Sequence, residues 1–374
     1  MISKKRLVKT FLSLVKMNSV SRKEGRVVKH LSKELKKLGL KTKIDNAGSK
    51  IKGETGNLIA FLKGSVKGAK TLMLNAHVDT VSSGINIKPR IKNDLITSNG
   101  KTILGADDKA GVAVILEVLK VIKEDKLPHG DIQVVFTVAE EIGLLGAKAL
   151  PKGILKADLG FALDGGAPDI ILNKAPSQDN LHAIIIGKAA HAGVHPEHGI
   201  NAIKVASKAI ADMKLGRIDK ETTANIGIIK GGVATNIIPD RVEIKGEARS
   251  LDLRKLKRQI GHMKKALKKT CSDHKARVKL KIASEYRSFY VPEGHRALKL
   301  VKMAAKRIKI KPKIRSTGGG SDANIFNKLR IPTVILGTGA SRVHTNKERL
   351  KISGAIKSAK LLLETISLIS RRKV

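Results

Sequence analysis

The sequence is short of cysteine, of aromatic side chains and of acid. A single cysteine, Cys271, among 374 residues excludes an intrachain disulfide and a structural zinc site built on thiolates, and it fits a reducing compartment. Aromatic residues make up 2% of the chain, too few for the stacking platforms on which single-stranded nucleic acids are read. No apolar run approaches the ~20 residues that span a bilayer. The basic start, MISKKRLVKTFLSLVKM, is interrupted by Lys9 and Lys16, and its Leu7, Val8, Phe11, Leu12 and Val15 fall at helical spacing. It therefore reads as an amphipathic first helix and not as a signal peptide. A soluble, cytoplasmic protein with no membrane partner is expected. Asp and Glu number 32 against 74 Lys and Arg, a formal charge of +42. The excess is spread along the whole chain with no basic tail, so nonspecific contact with polyanions at low salt is expected more than specific nucleic-acid binding.

What is present is an ordinary globular pattern. A length of 374 residues suits two domains of about 100–200 residues each. Residues 22–39 form an amphipathic helical pattern stopped by Gly39, and 106–124 has helical periodicity. Apolar runs at 71–80, 131–141 and 157–166 read as strands that end in acids or other polar residues. Strands alternating with helices imply an α/β domain with a mixed, largely parallel sheet flanked by helices, and ligands bind beyond the carboxyl ends of such strands. After about residue 177 the texture changes to a βαββα pattern that ends in a helix at 253–269, with Leu253, Leu256, Ile260, Met263 and Leu267 on one face. This predicts a smaller α+β domain inserted into the first. The α/β texture then returns with a helix near 296–306, a glycine loop and a strand within 331–339.

Five segments place metal-type ligands at strand or loop ends: His77-Val78-Asp79, Asp107-Asp108, Glu140-Glu141, Asp164 and His344. Imidazole and carboxylate suit zinc, cobalt or manganese, and two ions sharing a bridging carboxylate need about five protein ligands. Such a pair acidifies water enough for attack at neutral pH. In His77-Val78-Asp79 an extended backbone puts both polar side chains on one face, so Asp79 can hold the second imidazole nitrogen. Glu140 and Glu141, being adjacent, point differently, so one can bind metal while the other acts as a base. Each piece alone has an ordinary reading, as a helix cap for the Asp pair or a helix start for the Glu pair. Their combination, in a chain so poor in acid, does not.

The stretches AHVDTV, TILGADDKAG, FTVAEEIGLLGA, LDGG, AAHAGVHPEHGINAI, ATNIIPD, STGGGSDAN and VHT resemble the dizinc peptidase family that includes peptidase T, carboxypeptidase G and acetylornithine deacetylase, and its peptidase T-like branch most of all. The resemblance implies that His77, Asp107 and Asp164 hold one metal, and that Asp107, Glu141 and His344 hold the second with Asp107 bridging. It implies that Asp79 orients His77 and that Glu140 is general base and then general acid. It further implies a catalytic domain of 1–177 plus 289–374, and a lid or dimerisation domain of 178–288. In that lid His191 would steady the oxyanion of the partner's site, and Asn236 and Arg249 would contact substrate. Gly318 and Gly319, followed by Gly320, would approach the substrate by their backbone. His195 and His198 read as loop residues. The expected function is zinc-dependent hydrolysis of di- or tripeptides by a homodimer. Deacylation of N-acyl amino acids is the alternative within the class. A basic, non-catalytic nucleic-acid-binding protein on a peptidase fold is the alternative outside it.

Overall fold

A computed structural model describes residues 1–370, which divide into two compact units. The first comprises residues 1–174, 289–316 and those from 321 on; the second comprises 175–288 together with 317–320. The second compact unit runs from 175, against the 178 that the resemblance implies, and it takes in the glycine loop 317–320. Gly320 explains that difference. A Cβ there would lie 2.2 Å from Cζ of Tyr286, so the loop is pressed against a residue of the inserted unit.

Along the chain, strands β1 (Lys41–Ile44), β2 (Leu58–Leu62), β3 (Leu72–His77), β4 (Arg90–Lys92), β5 (Leu95–Thr97), β6 (Ile132–Thr137), β7 (Leu159–Gly165) and β8 (Ile170–Ala175) come first. Within the insertion lie β9 (Ser177–Ile186), β10 (Gly216–Arg217), β11 (Thr222–Gly231), β12 (Arg241–Ser250) and β13 (Arg277–Tyr286). After it come β14 (Phe289–Tyr290), β15 (Lys313–Ser316), β16 (Thr333–Gly337), β17 (Ala340–Ser341) and β18 (Arg349–Lys351).

The main sheet of the first unit has the order β1-β2-β6-β3-β7-β16-β8-β14, with β15 beside β8. Its centre, β6-β3-β7-β16, is parallel throughout, while β1-β2, β2-β6 and β16-β8 pair antiparallel. All six residues of LMLNAH in β3 and of IQVVFT in β6 are buried, as expected of strands covered on both faces. The helix Ala106–Glu124 is apolar nearly all round, and it packs on β3 and β7 and against the helices Lys4–Val15 and Ile352–Ser370. The helix Gly25–Lys37 buries Val27, Val28, Leu31 and Leu35. Gly39, at φ +81°, ends it in the left-handed region, and the Leu40 N–H returns to the Leu35 carbonyl.

The second unit is an antiparallel sheet of order β10-β11-β12-β9-β13. The helices Ala202–Ala211 and Leu253–Asp273 cover it, and its core includes Leu181, Ile185, Val242, Ile244, Leu256, Met263 and Leu267. Among the described residues no helix is long and apolar enough to cross a membrane.

One close approach fixes the first unit's geometry. A Cβ on Gly111, in the first turns of the helix Ala106–Glu124, would meet the Leu163 carbonyl at 2.3 Å and the Asp108 carboxylate at 2.5 Å. The absent side chain is what lets this helix lie on β7, beside Asp164. Gly111→Ala is expected to force helix and strand apart and cost about 1–3 kcal/mol, the usual scale of overpacking. Chemical denaturation of the variant should show the lower midpoint; an unchanged midpoint would mean the helix shifts without cost.

Candidate metal centre

The parallel strands bring their carboxyl ends level. His77 closes β3 directly opposite Thr137, the last residue of β6, and Asn75 of β3 pairs with Ala162 of β7. His77 therefore stands next to the turn carrying Glu140 and Glu141 and next to Asp164. Asp107 enters from the start of the helix Ala106–Glu124, where Asp107 and Asp108 have non-helical backbone angles. That departure separates the two neighbours. Asp108 turns inward and accepts the backbone N–H of His77 at 3.3 Å and of Gly111 at 3.1 Å. Asp107 faces the site. His344 arrives from the loop between β17 and β18 with φ +62°, in the left-handed region that non-glycine residues occupy uncommonly.

These side chains form two groups that share one member: His77, Asp107 and Asp164; and Asp107, Glu141 and His344. Asp107 Oδ1 lies 3.1 Å from His77 Nε2, and its Oδ2 lies 3.3 Å from His344 Nε2. Glu141 Oε1 is 3.0 Å from His344 Nε2, and Asp164 Oδ1 is 3.9 Å from His77 Nε2. Donor atoms on a tetrahedral ion with bonds of about 2.0–2.1 Å lie about 3.3 Å apart. The spacing, the donor types and the shared carboxylate fit a pair of divalent cations.

The electrostatics fit as well. Burial, and then Asp107, push the Asp164 carboxyl up to about 8. Burial also pushes Glu140 well above the ordinary carboxylate range, and Asp164, Asp322 and Glu141 add to it against the opposing pull of His77. In the other direction, Asp107 and Glu141 hold the His344 imidazole up to about 10. Burial alone would push His77 down, but its bonds to Asp107 and Asp79 hold it well above its ordinary value. Asp107 and Asp79, bonded to the imidazoles, are held below the ordinary carboxylate range, while Glu140 and Asp164 behind them resist ionising; a site with more carboxylates than the imidazoles can neutralise is short of positive charge, which two cations would supply.

A set of surrounding carboxylates, with Lys109, braces the segments that carry these side chains. Asp79, fully buried, lies with its carbonyl oxygen 3.1 Å and its Oδ1 3.4 Å from His77 Nδ1. It also accepts the backbone N–H groups of Glu140 at 3.0 Å and Glu141 at 3.2 Å, and the Ser21 hydroxyl at 2.7 Å. Glu24 accepts the N–H of Ala139 at 3.0 Å and so steadies that residue's φ of +51° just before Glu140. Glu348 accepts the N–H groups of Leu104, Gly105 and Asp107 at 2.7, 2.8 and 3.0 Å. Asp322 accepts the Thr137 hydroxyl at the end of β6. Lys109 is wholly buried and donates to the Met17 carbonyl at 2.8 Å, and burial brings its ammonium down to about 7. Sequence reasoning missed Ser21, Glu24, Lys109, Asp322 and Glu348. The nearest signal was that Lys109, Asp322 and Glu348 lie within or just beyond the motif stretches.

The remaining expected site residues belong to the second unit. His191 and Asn236 are exposed and meet there: His191 bridges to Ile237, and the Ala192 N–H donates to the Asn236 carbonyl at 2.9 Å. Arg249 is already paired, its Nε at 2.7 Å and Nη2 at 3.0 Å from the Glu247 carboxylate. Gly318 has open space around it, and Gly319 donates to the Thr317 hydroxyl at 3.0 Å.

The sequence model described as Peptidase family M20/M25/M40 matches residues 73–368. Among similar proteins is the "Uncharacterized protein YqjE" of Bacillus subtilis strain 168, 42% identical over 98% of this chain and 99% of its own. A solved tripeptidase from Staphylococcus aureus matches at 41% identity over 100% of both chains, with TM-score 0.94. A solved aminopeptidase PepT from Bacillus cereus ATCC 10987 matches at 42% identity over 99% of this chain and 100% of that one, with TM-score 0.89.

Glu348 yields a test of this support. Glu348→Ala strips an acceptor from three backbone N–H groups, and a buried group left unsatisfied costs about 1–3 kcal/mol. Thermal unfolding is expected to show a loss of about 3 kcal/mol or more on that basis, and metal analysis a lower content, since Asp107 loses its backbone anchor. A variant with full metal content would separate Glu348 from the site.

Proposed function

Because the chain belongs to peptidase family M20/M25/M40, we propose that it removes the N-terminal residue from small peptides, di- and tripeptides above all, using two zinc ions. Membership makes it a metallopeptidase that hydrolyses peptide amide bonds. The single observation that carries the two-ion reading is Asp107, whose two oxygens face two different imidazoles. The choice of short peptides rests on the tripeptidase and aminopeptidase among the similar structures.

We assign His77, Asp107 and Asp164 to one ion and Asp107, Glu141 and His344 to the other. When bound, such a pair supplies Lewis acidity, which lowers the pKa of water and polarises the scissile carbonyl. Zinc suits the imidazole and carboxylate donors best, with cobalt and manganese accepted by the same set. Glu140 takes the proton from the attacking water and passes it to the leaving amine. Its support is burial beside the ligands and an acid strength already weakened by burial and neighbouring carboxylates, as a base working near neutrality requires. Asp79 orients His77 through Nδ1 and holds Glu140 and Glu141 by their amides, so one carboxylate aligns a ligand on each side and the base.

In the second unit we assign oxyanion stabilisation to His191 and substrate contacts to Asn236, Arg249, Gly318 and Gly319. Arg249 would exchange Glu247 for the substrate carboxylate, a swap of one bidentate partner for another. We also propose a homodimer formed through this unit. Ile228, Ile229 and Val233 are 42%, 50% and 87% exposed at the end of β11 and just beyond it, and burying such side chains against a second copy would be favourable.

A panel of dipeptides, tripeptides and N-acetyl amino acids, assayed with added zinc, cobalt or manganese, is expected to show turnover of the peptides. Turnover of N-acetyl amino acids alone would make the protein a deacylase. No hydrolysis together with tight, sequence-selective DNA binding at physiological salt would return it to the nucleic-acid reading. Glu140→Ala is expected to keep its metal and lose at least about a hundredfold in turnover; undiminished turnover would remove Glu140 from the role.

A further inference from the structure

We propose that His195, Glu197 and His198 form a third cation site, on the second unit, that takes a borderline transition metal such as zinc or nickel. The three side chains come from one short stretch, His195-Pro196-Glu197-His198, whose last three residues form a turn of 3₁₀ helix. His195 caps this turn and His198 ends it, and both rings lie on the same side of it. The two imidazoles stack with centroids 5.0 Å apart and planes 18° from parallel. Glu197 Oε1 lies 3.1 Å from His195 Nδ1 and 3.8 Å from His198 Nε2. Both spacings bracket the edge of about 3.3 Å expected between donors on a tetrahedral zinc ion. The third edge, between the two histidines, is within 4.8 Å, so a small rotation of the rings closes the set.

The backbone beneath these ligands is fastened. The His195 N–H donates to the His191 carbonyl at 3.3 Å, the His198 N–H to His195 at 3.2 Å, and the Gly199 N–H to Pro196 at 3.1 Å. Ile200 and Lys188 exchange N–H to carbonyl bonds at 2.8 and 3.0 Å just beyond. The donors therefore sit on a closed turn, which limits the entropy lost when an ion gathers them. All three side chains are more than 60% exposed, leaving room for water to complete the coordination. Two imidazoles and one carboxylate favour a zinc-like ion over calcium or magnesium, which want oxygen ligands. With one carboxylate and open solvent, this site is expected to bind more weakly than the carboxylate-rich centre of the first unit. Because the turn is bonded to the His191 backbone, a bound ion would also stiffen the segment that carries His191.

The test is equilibrium dialysis of full-length, chelator-stripped protein against rising zinc. The wild type is expected to saturate at one equivalent more than a His195→Gln/His198→Gln variant, and hydrogen exchange of residues 191–199 is expected to slow on zinc binding in the wild type only. Equal stoichiometry and equal exchange in the two proteins would overturn the proposal. Both substituted side chains are exposed, so the variant should unfold at the wild-type midpoint without metal. The readout is a difference of one equivalent, so it holds whether or not the centre of the first unit proves catalytic.

Discussion

One carboxylate between two imidazoles organises the first unit's chemistry. Asp107 reaches His77 with one oxygen and His344 with the other, and each imidazole then has a second acidic neighbour, Asp164 or Glu141. Without cations this is an arrangement under tension, because burial makes Asp164 and Glu140 resist ionisation, while Asp107 ionises readily against the two imidazoles and those imidazoles hold protons. With two cations the same crowding becomes the reason for affinity. The cost of gathering the carboxylates is carried by the fold, so it need not be met when ions bind.

The fold carries that cost through two clasps made of buried acid. Asp79 joins β3 to the turn after β6, holding His77 on one side and the amides of Glu140 and Glu141 on the other. Glu348, four residues beyond His344, grips the chain leading into Asp107 by three amides. The segments that carry His344 and Asp107 are thus tied to each other through backbone amides as well as through the contact of the two side chains. The N-terminal stretch adds a further brace, with Ser21 on Asp79, Glu24 on Ala139 and Met17 on Lys109. Displacing any one of these alters where the ligands point while leaving their identity untouched.

How much of this was legible in the sequence follows from range. β3, β6, β7 and the helix Ala106–Glu124 were readable because their apolar patterns are local, and the acids at their ends were readable as outliers in a basic chain. Glu348 was not, since an acid between Lys347 and Arg349 reads as a solvated charge, and its partners lie more than 240 residues away. Lys109 likewise has its acceptor 92 residues away. The place of the 317–320 loop depended on Tyr286, which no local pattern connects to it. Arg249 is the opposite case. Its partner Glu247 stands two residues earlier on the same face of β12, a pairing that period-two reasoning could have supplied.

The charge of +42 and the acidic centre act at different ranges, and that resolves their apparent conflict. At physiological ionic strength the screening length is about 8 Å, so lysines scattered over the surface set the approach of ligands while side chains in contact set the binding of ions. A cation arriving at the centre meets Asp107 together with Asp164 or with Glu141, donor atoms within 4.8 Å of one another in each group, and their partial burial leaves them less screened than surface charges.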